Sequence, residues 1–335
     1  MLKRWQFWVG LVVSAVFLYL ALRGVDLAAA WRAALTARWG YLGLAWVCLL
    51  ASYLLRAWRW QVIVRPLKRV PLWTMWRVFM VGFMSNNILP ARAGELVRAY
   101  VLGQAAQVNA AAILGTIAVE RVFDVAMALL LLVFGVTVGV LGELDNSVWL
   151  GAAMVGGIVF GVLAAALWGD ALVDWGTRWV GRVSPSWGDK LAGVGRSFVQ
   201  GLRAVGSVGR AVYVALLAVA SWALFMAYAY FILRAYRLHI GVAGVAFLLG
   251  MAGLGVSIPS APGGVGTLDY AYIFGLQLLK IGDENTRASF ALTGHVIEWI
   301  TTLALGMFSL GQLGLSFRQV STLAERRRRQ ERESL

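Results

Sequence analysis

Apolar residues run along this 335-residue chain in long blocks separated by short basic or glycine-rich stretches. About 20 apolar residues cross a bilayer as a helix, and by that measure 7–22, 41–64, 110–141, 148–168, 211–233 and 288–315 read as six full spans. Two further apolar pairs, 73–89 with 95–104 and 242–258 with 267–279, are interrupted by Pro and Gly. Each pair predicts either a re-entrant hairpin of two half-helices or two short spans. The expected fold class is therefore an all-α polytopic membrane protein.

The two interrupted regions share a sequence. Shifting the chain by 172 positions pairs Ser85 with Ser257, Pro90 with Pro262, Gly94 with Gly266, Leu96 with Leu268, Ala99 with Ala271, Tyr100 with Tyr272 and Gly103 with Gly275. Identities clustered at Pro, Gly and Tyr point to an internal repeat. Two Pro/Gly-kinked helices that simply pack are the alternative.

Basic residues set an orientation. With Lys3 and Arg4 inside, Arg65, Lys68, Arg69 and Arg77 fall inside, as do the arginines and lysine of 169–210, if the first broken pair returns to the side it came from. Glu143 and Asp145, with no base beside them, then face outside. A second pair returning to the outer side brings Arg326 to Arg329 to the cytoplasm, so both termini are expected there. Matching sequences that enter from opposite faces make two inverted-topology repeats, each with a broken helix pair, an arrangement typical of transporters. The expected organisation is a first transmembrane half at 1–168, a cytoplasmic amphipathic linker at 169–210, a second half at 211–317 and a basic tail at 318–335. In the linker, Asp174, Trp175, Arg178, Trp179 and Arg182 alternate as on an interfacial helix. The tryptophans at 58, 60, 73 and 76 read as interfacial anchors. The first span has the basic and apolar regions of a signal peptide without a small-residue cleavage site before Arg23, and reads as retained.

Composition agrees with the pattern: 60% hydrophobic residues, 14% charged and mean hydropathy +0.74 place the chain among membrane proteins. The net charge of +14 sits between spans and at the end of the chain, where orientation and anionic lipid account for it and nucleic acid does not. One cysteine, Cys48, excludes an internal disulfide, and with His239 and His295 the only histidines a metal centre is not expected. No Ser-His-Asp set, CxxC or HExxH is present, no cofactor is implied, and the chain is not read as an enzyme.

Polar residues within the apolar blocks are the candidate chemistry. The first break carries Arg92, Glu95 and Arg98; non-helical backbone and charge at that depth must be buried in protein or line a wet cavity. Glu120, Arg121 and Asp124 interrupt the third span, with Glu120 and Asp124 on one face and Arg121 within pairing distance of Asp124. They suit either a buried ion cluster or a binding role. His295 and Glu298, three apart, suit a proton-coupling pair or a satisfied core pair. Around Pro262, Gly263, Gly264 and Gly266, exposed N–H groups before a half-helix suit a phosphate cradle, although the lysine and Ser/Thr of a nucleotide P-loop are missing. Arg56 and Arg59 suit snorkelling anchors or headgroup ligands.

Taken together, LPARAGELVRAYVL, VERVFDVAMALLL and PSAPGGVGTLDYAYI resemble the lysylphosphatidylglycerol synthase transmembrane family, over about residues 5–315. The resemblance implies an inner-membrane protein that moves aminoacylated phospholipids, or in other members is linked to glycolipid or hopanoid pathways. It carries onto Pro90, Gly94, Glu95, Arg98, Glu120, Arg121, Asp124, Pro262, Gly263, Gly264 and Gly266. Within these residues the resemblance covers the membrane region, and a soluble aminoacyl-transferase domain is not expected, unlike in the two-domain members.

The expected function is translocation of a phosphate-bearing lipid (aminoacylated phospholipid, glycolipid or polyprenyl-type) by alternating access. Arg92, Arg98 or Arg121 and the glycine turn would hold the phosphate, and Glu95, Glu120, Asp124 or Glu298 would act as counter-ions. The expected partners are that anionic or aminoacylated lipid, the bilayer, and a homo-oligomer or lipid-synthesising enzyme. The alternatives are a non-transporting membrane partner that recruits or regulates a lipid-modifying enzyme and a small-solute channel or carrier.

Overall fold

The structure is a computed structural model that describes residues 5–89, 93–140, 171, 173–175, 177–179, 207–257 and 260–315. Among the described residues every regular element is helical. Helices α1 (Trp5–Leu22), α2 (Leu27–Leu35), α3 (Trp39–Val64), α4 (Leu72–Ile88), α5 (Gly94–Ala106) and α6 (Ala110–Phe134) are followed by a π-helical stretch, Gly135–Val140. Helices α7 (Val208–Ala235) and α8 (Val242–Ser257), a 3-10 turn at Pro262–Gly264, α9 (Thr267–Leu278) and α10 (Glu284–Gln312) complete the second half.

Four helices are long and apolar enough to span: Trp39–Val64, Ala110–Val138, Val208–Ala235 and Glu284–Gln312. The expected first span falls on α1, whose Leu11–Leu22 stretch passes as membrane-crossing together with Leu27–Leu35, bent from it by 76° as a broken span or a re-entrant loop. The bend has a local cause. Gly24 takes φ 85°, and Asp26 starts a new helix by accepting the Ala28 N–H at 2.9 Å. The expected span at 148–168 lies outside the described residues, as do Pro90, Arg92, Pro259, Arg182 and the tail. In the linker region Trp175 and Trp179 are exposed on helical backbone, 6.2 Å apart between ring centroids.

The interrupted regions fold as two helical hairpins. In the first, Gly82 on α4 packs against Gly94 and Arg98 on α5, so closely that a side chain at Gly82 would overlap the Arg98 stem. In the second, Gly255 on α8 meets the Thr267 carbonyl on α9, which a Cβ would approach to 2.7 Å. Small residues at these crossings let backbones approach where hydrocarbon gives helices no reason to associate. The same device joins α6 and the π-helical stretch after it to α8, through Gly250 against Leu132 and Gly135 against Phe247.

Outside the bundle, Val125, Leu129 and Val133 on α6 and Val296, Ile300 and Met307 on α10 are exposed in stripes. A hydrocarbon surround satisfies such faces and water does not. Buried polar side chains, Arg59, Ser85, Arg98, Glu120, Ser221 and Thr302 among them, lie on α3, α4, α5, α6, α7 and α10.

Candidate functional site

Two polar centres lie within the bundle. The first joins α3, α5 and α6. Glu120, 1% exposed, accepts two hydrogen bonds from Arg98, Nη1 to Oε1 at 3.2 Å and Nη2 to Oε2 at 2.7 Å. Arg59, fully buried, donates Nη2 to Asp124 Oδ1 at 2.8 Å and lies 3.8 Å from Glu120. Asp124 Oδ1 also accepts the Trp222 indole N–H at 3.2 Å. The Arg98 guanidinium sits 4.0 Å over the Trp60 ring and 4.7 Å over Phe79. Buried charges need this density of partners to persist in a low-dielectric interior.

Arg121 differs from its neighbours. Its closest carboxylate is Glu95, Nε to Oε1 at 2.9 Å, with Asp124 at 3.8 Å and Glu120 at 4.0 Å. About a third of each side chain of the Arg121–Glu95 pair is accessible, 34% and 30%. The pairing of Arg121 with Asp124 expected from helical spacing is present but long, and the short contacts to Glu120 and Asp124 come from Arg98 and Arg59. Arg59 is thus not a snorkelling anchor, because its carboxylate partner lies inside the bundle. Trp60 is not an interfacial anchor either: it is fully buried and donates its indole N–H to Thr116 Oγ1 at 3.1 Å. Trp58 and Trp73 are exposed, as anchors are.

The second centre lies at the tip of the α8–α9 hairpin. Gly263, Gly264 and Gly266 take φ 77°, 76° and 86°, a region costly for other residues. The turn is seated on α1, where Ser14 Oγ accepts the Ala261 N–H at 2.7 Å and any side chain on Gly266 would meet the Ser14 carbonyl. Asp269 Oδ2 accepts the Gly266 N–H at 2.9 Å, so one donor of the expected phosphate cradle is taken by the chain's own carboxylate. Asp269 Oδ1 faces His295 Nδ1 at 2.8 Å, and His295 Nε2 faces the Gly263 carbonyl at 3.1 Å. His295 therefore pairs with Asp269 and not with Glu298, the neighbour suggested by spacing. A carboxylate on one ring nitrogen and a carbonyl on the other are both acceptors. The unit forms both bonds only with a proton beyond that of neutral imidazole and carboxylate. Glu298, partly buried, accepts from the Tyr53 hydroxyl at 3.2 Å.

The tips of the two hairpins meet. A Cβ on Gly263 would lie 3.6 Å from Asn87 Oδ1 on α4 and 3.4 Å from the Trp299 indole nitrogen. Asn87 is held by its own bond to Thr302 on α10, at 2.7 Å, and the adjacent Asn86 accepts the Gly94 N–H at 2.9 Å. Gly264 stands more open: a Cβ there would meet only Leu268 Cβ, at 3.7 Å. Among the described residues no group of three or more His, Cys, Asp or Glu is placed to hold a metal.

Inward charges, paired hairpins and lipid-facing stripes define a multi-pass helical membrane protein. The chain belongs to the family described as the lysylphosphatidylglycerol synthase transmembrane region, whose model matches residues 7–306. It is similar to a protein named glycosyltransferase AglD from Haloferax volcanii, 28% identical over 302 residues, covering 81% of this chain and 48% of that protein. It thus spans about half the length of that relative. A UPF0104 membrane protein of Methanocaldococcus jannaschii is 24% identical over 66% of this chain and 90% of its own length. Another UPF0104 membrane protein, from Methanothermobacter thermautotrophicus, is 25% identical over 77% and 81%. Family and relatives together indicate a membrane function related to lipids.

Proposed function

We propose that the protein is not an enzyme but a lipid flippase, moving a phosphate-bearing lipid between leaflets of the cytoplasmic membrane by alternating access, with both termini cytoplasmic. The observation that carries this reading is the meeting of the two hairpin tips, Asn87 against Gly263, beside a charge cluster whose Arg121–Glu95 edge remains accessible. Broken helices that meet inside a bundle are where transporters hold their substrates. The two hairpins are inverted repeats in this account, one opening to each side. The headgroup enters along Glu95 and Arg121, with Arg98 behind them, while the acyl chains stay in lipid; Arg92, expected from the sequence to share this role, lies outside the described residues. Exchange of Arg121 from Glu95 to the phosphate costs little, because both are already partly solvated. Glu120, Asp124 and Glu298 hold the surrounding cations in place.

A second reading is a membrane partner that recruits or regulates a lipid-modifying enzyme. It is favoured by the longer relative that carries a glycosyltransferase name and of which this chain covers 48%. A translocation assay separates the two. In proteoliposomes with fluorescent phosphatidylglycerol in both leaflets, a flippase lets external dithionite bleach well beyond the outer-leaflet share. A partner protein leaves the inner-leaflet share protected, as in protein-free vesicles.

A further inference from the structure

The charge network leaves a cation unanswered. Arg59, Arg98 and Arg121 are matched by Asp124, Glu120 and Glu95, and the Gly266 end of α9 is answered by Asp269. Arg56 has no such match. It is 9% exposed, its Nε is buried without a hydrogen-bond partner as are those of Arg59, Arg98 and Arg121, and unlike them it has no carboxylate among the described residues within 4.0 Å. Its neighbours are the faces of Trp222 at 5.3 Å and Phe225 at 5.4 Å, which steady a guanidinium without neutralising it.

Its position adds meaning to that imbalance. Tyr53, Arg56 and Arg59 occupy successive turns of one face of α3. Tyr53 bonds to Glu298 in the second half and Arg59 bonds to Asp124 in the first, so Arg56 lies between the two centres. The field of Arg56 acts on Asp124, on Tyr53 and on Glu298. A guanidinium kept deep in a membrane protein, with Asp124 and Glu298 in its field but no carboxylate at ion-pair distance, is costly, and part of the cost is recovered when an anion arrives. Its planar fork suits a phosphate better than an ammonium would.

We propose that Arg56 binds the phosphate-type oxyanion of the substrate at the midpoint of its path, between the Arg59–Asp124 and Tyr53–Glu298 contacts. This rests on the reading of the protein as a transporter of a phosphate-bearing lipid and assigns the residue that recognises the headgroup. It also accounts for the two rings that α7 sets against this turn of α3: Trp222 and Phe225 hold the cation while the site is empty.

Thermal unfolding of the purified full chain in detergent tests it, with dioctanoyl phosphatidylglycerol, dioctanoylglycerol and inorganic phosphate as probes. A ligand bound only by the folded state raises the midpoint. In the wild type the phospholipid is expected to raise the midpoint and dioctanoylglycerol is not. Arg56→Met keeps the length and ring packing of the side chain. Its midpoint without lipid should equal or exceed that of the wild type, and its apparent affinity for the phospholipid should fall by about tenfold or more. A rise with inorganic phosphate that vanishes in Arg56→Met would support the same site with a free oxyanion as ligand; a rise with the phospholipid alone identifies the headgroup. If Arg56→Met instead lowers the midpoint and keeps the lipid-induced rise, Arg56 is a packing residue and the assignment is overturned. A wild type that responds to neither phosphate probe overturns the assignment together with the phosphate-lipid reading, whereas a wild-type response retained by the variant overturns the assignment alone. Should Arg56→Met not fold, Arg56→Lys decides: a weakened response supports the site and an undiminished one rejects it.

Discussion

Arg98 and Glu120 form a two-point ion pair, 3.2 and 2.7 Å, that fastens the second arm of the first hairpin to α6. Both side chains are 1% exposed. Arg98→Ala leaves a buried carboxylate with Arg59 at 3.8 Å as its next cation, and should cost about 3 to 5 kcal/mol. Arg98→Leu with Glu120→Leu removes both charges and should recover most of that loss. Unfolding in mixed micelles measures both; a double variant no more stable than Arg98→Ala would show that the pair is not the source.

Arg121→Ala should separate function from stability. Arg59 and Arg98 continue to hold Asp124 and Glu120, and the lost Arg121–Glu95 contact is partly solvated, so the stability change should stay within about 1 kcal/mol. Lipid translocation should fall by about tenfold or more, because a charge-assisted bond to the substrate is lost. Unfolding midpoints and dithionite traces on the same preparation check both halves.

The glycines of the tip should differ in a defined order. Gly264→Ala puts a side chain at φ 76° in open space and should cost about 1 to 2 kcal/mol with expression retained. Gly266→Ala adds a clash with the Ser14 carbonyl of α1 and should cost more. Gly264→Leu should additionally abolish translocation by filling the space before α9. Equal stabilities for Gly264→Ala and Gly266→Ala would contradict the seating of the turn on α1.

Much of this architecture was legible in the chain. The spans at 41–64, 110–141, 211–233 and 288–315 each fall on a helix of the bundle, and both broken pairs fold as hairpins, because apolar length and Pro/Gly interruptions are local signals. The polar contacts were not local. Arg59 and Asp124 are 65 positions apart, and two arginines one turn apart at a span end look the same whether they snorkel or turn inward. The rings of WRW were no guide either: Trp58 is exposed, and Trp60 lies under Arg98 rather than over Arg59. His295 had Glu298 three residues away, yet its partner came from α9, 26 positions earlier, because the hairpin brings Asp269 back to α10. The bend after α1 is written in Gly24 and Asp26, but reads as an ordinary loop until α10 lies against it, with Asn285 Oδ1 accepting the Asp26 N–H at 2.8 Å.

Asp283 gives a prediction at the membrane edge. It caps α10 by accepting from the Asn285 and Thr286 N–H groups at 3.0 and 3.1 Å, and the Thr286 hydroxyl bond holds its carboxyl below the ordinary range. A carboxyl lowered on folding stabilises the fold above its unfolded value, about 3.9, and that contribution fades as pH falls through the lower folded value. Asp283→Ala should therefore cost about 1 kcal/mol at neutral pH, with the difference from wild type closing in acid. A gap that stays constant down to about pH 2 would remove the cap from the explanation.

The central claim is that substrate passes where the hairpin tips meet, and a reversible lock across Asn87 and Gly263 tests it most directly. Cysteines at these two positions, with Cys48 replaced by alanine, place thiols on facing surfaces where a Gly263 Cβ would lie 3.6 Å from the Asn87 amide oxygen. A short bifunctional methanethiosulfonate then joins them, and a reductant releases them. In proteoliposomes the joined protein should hold fluorescent phosphatidylglycerol in its leaflet, and reduction should restore exchange to the level of the unjoined variant. Undiminished exchange in fully joined protein would contradict the account.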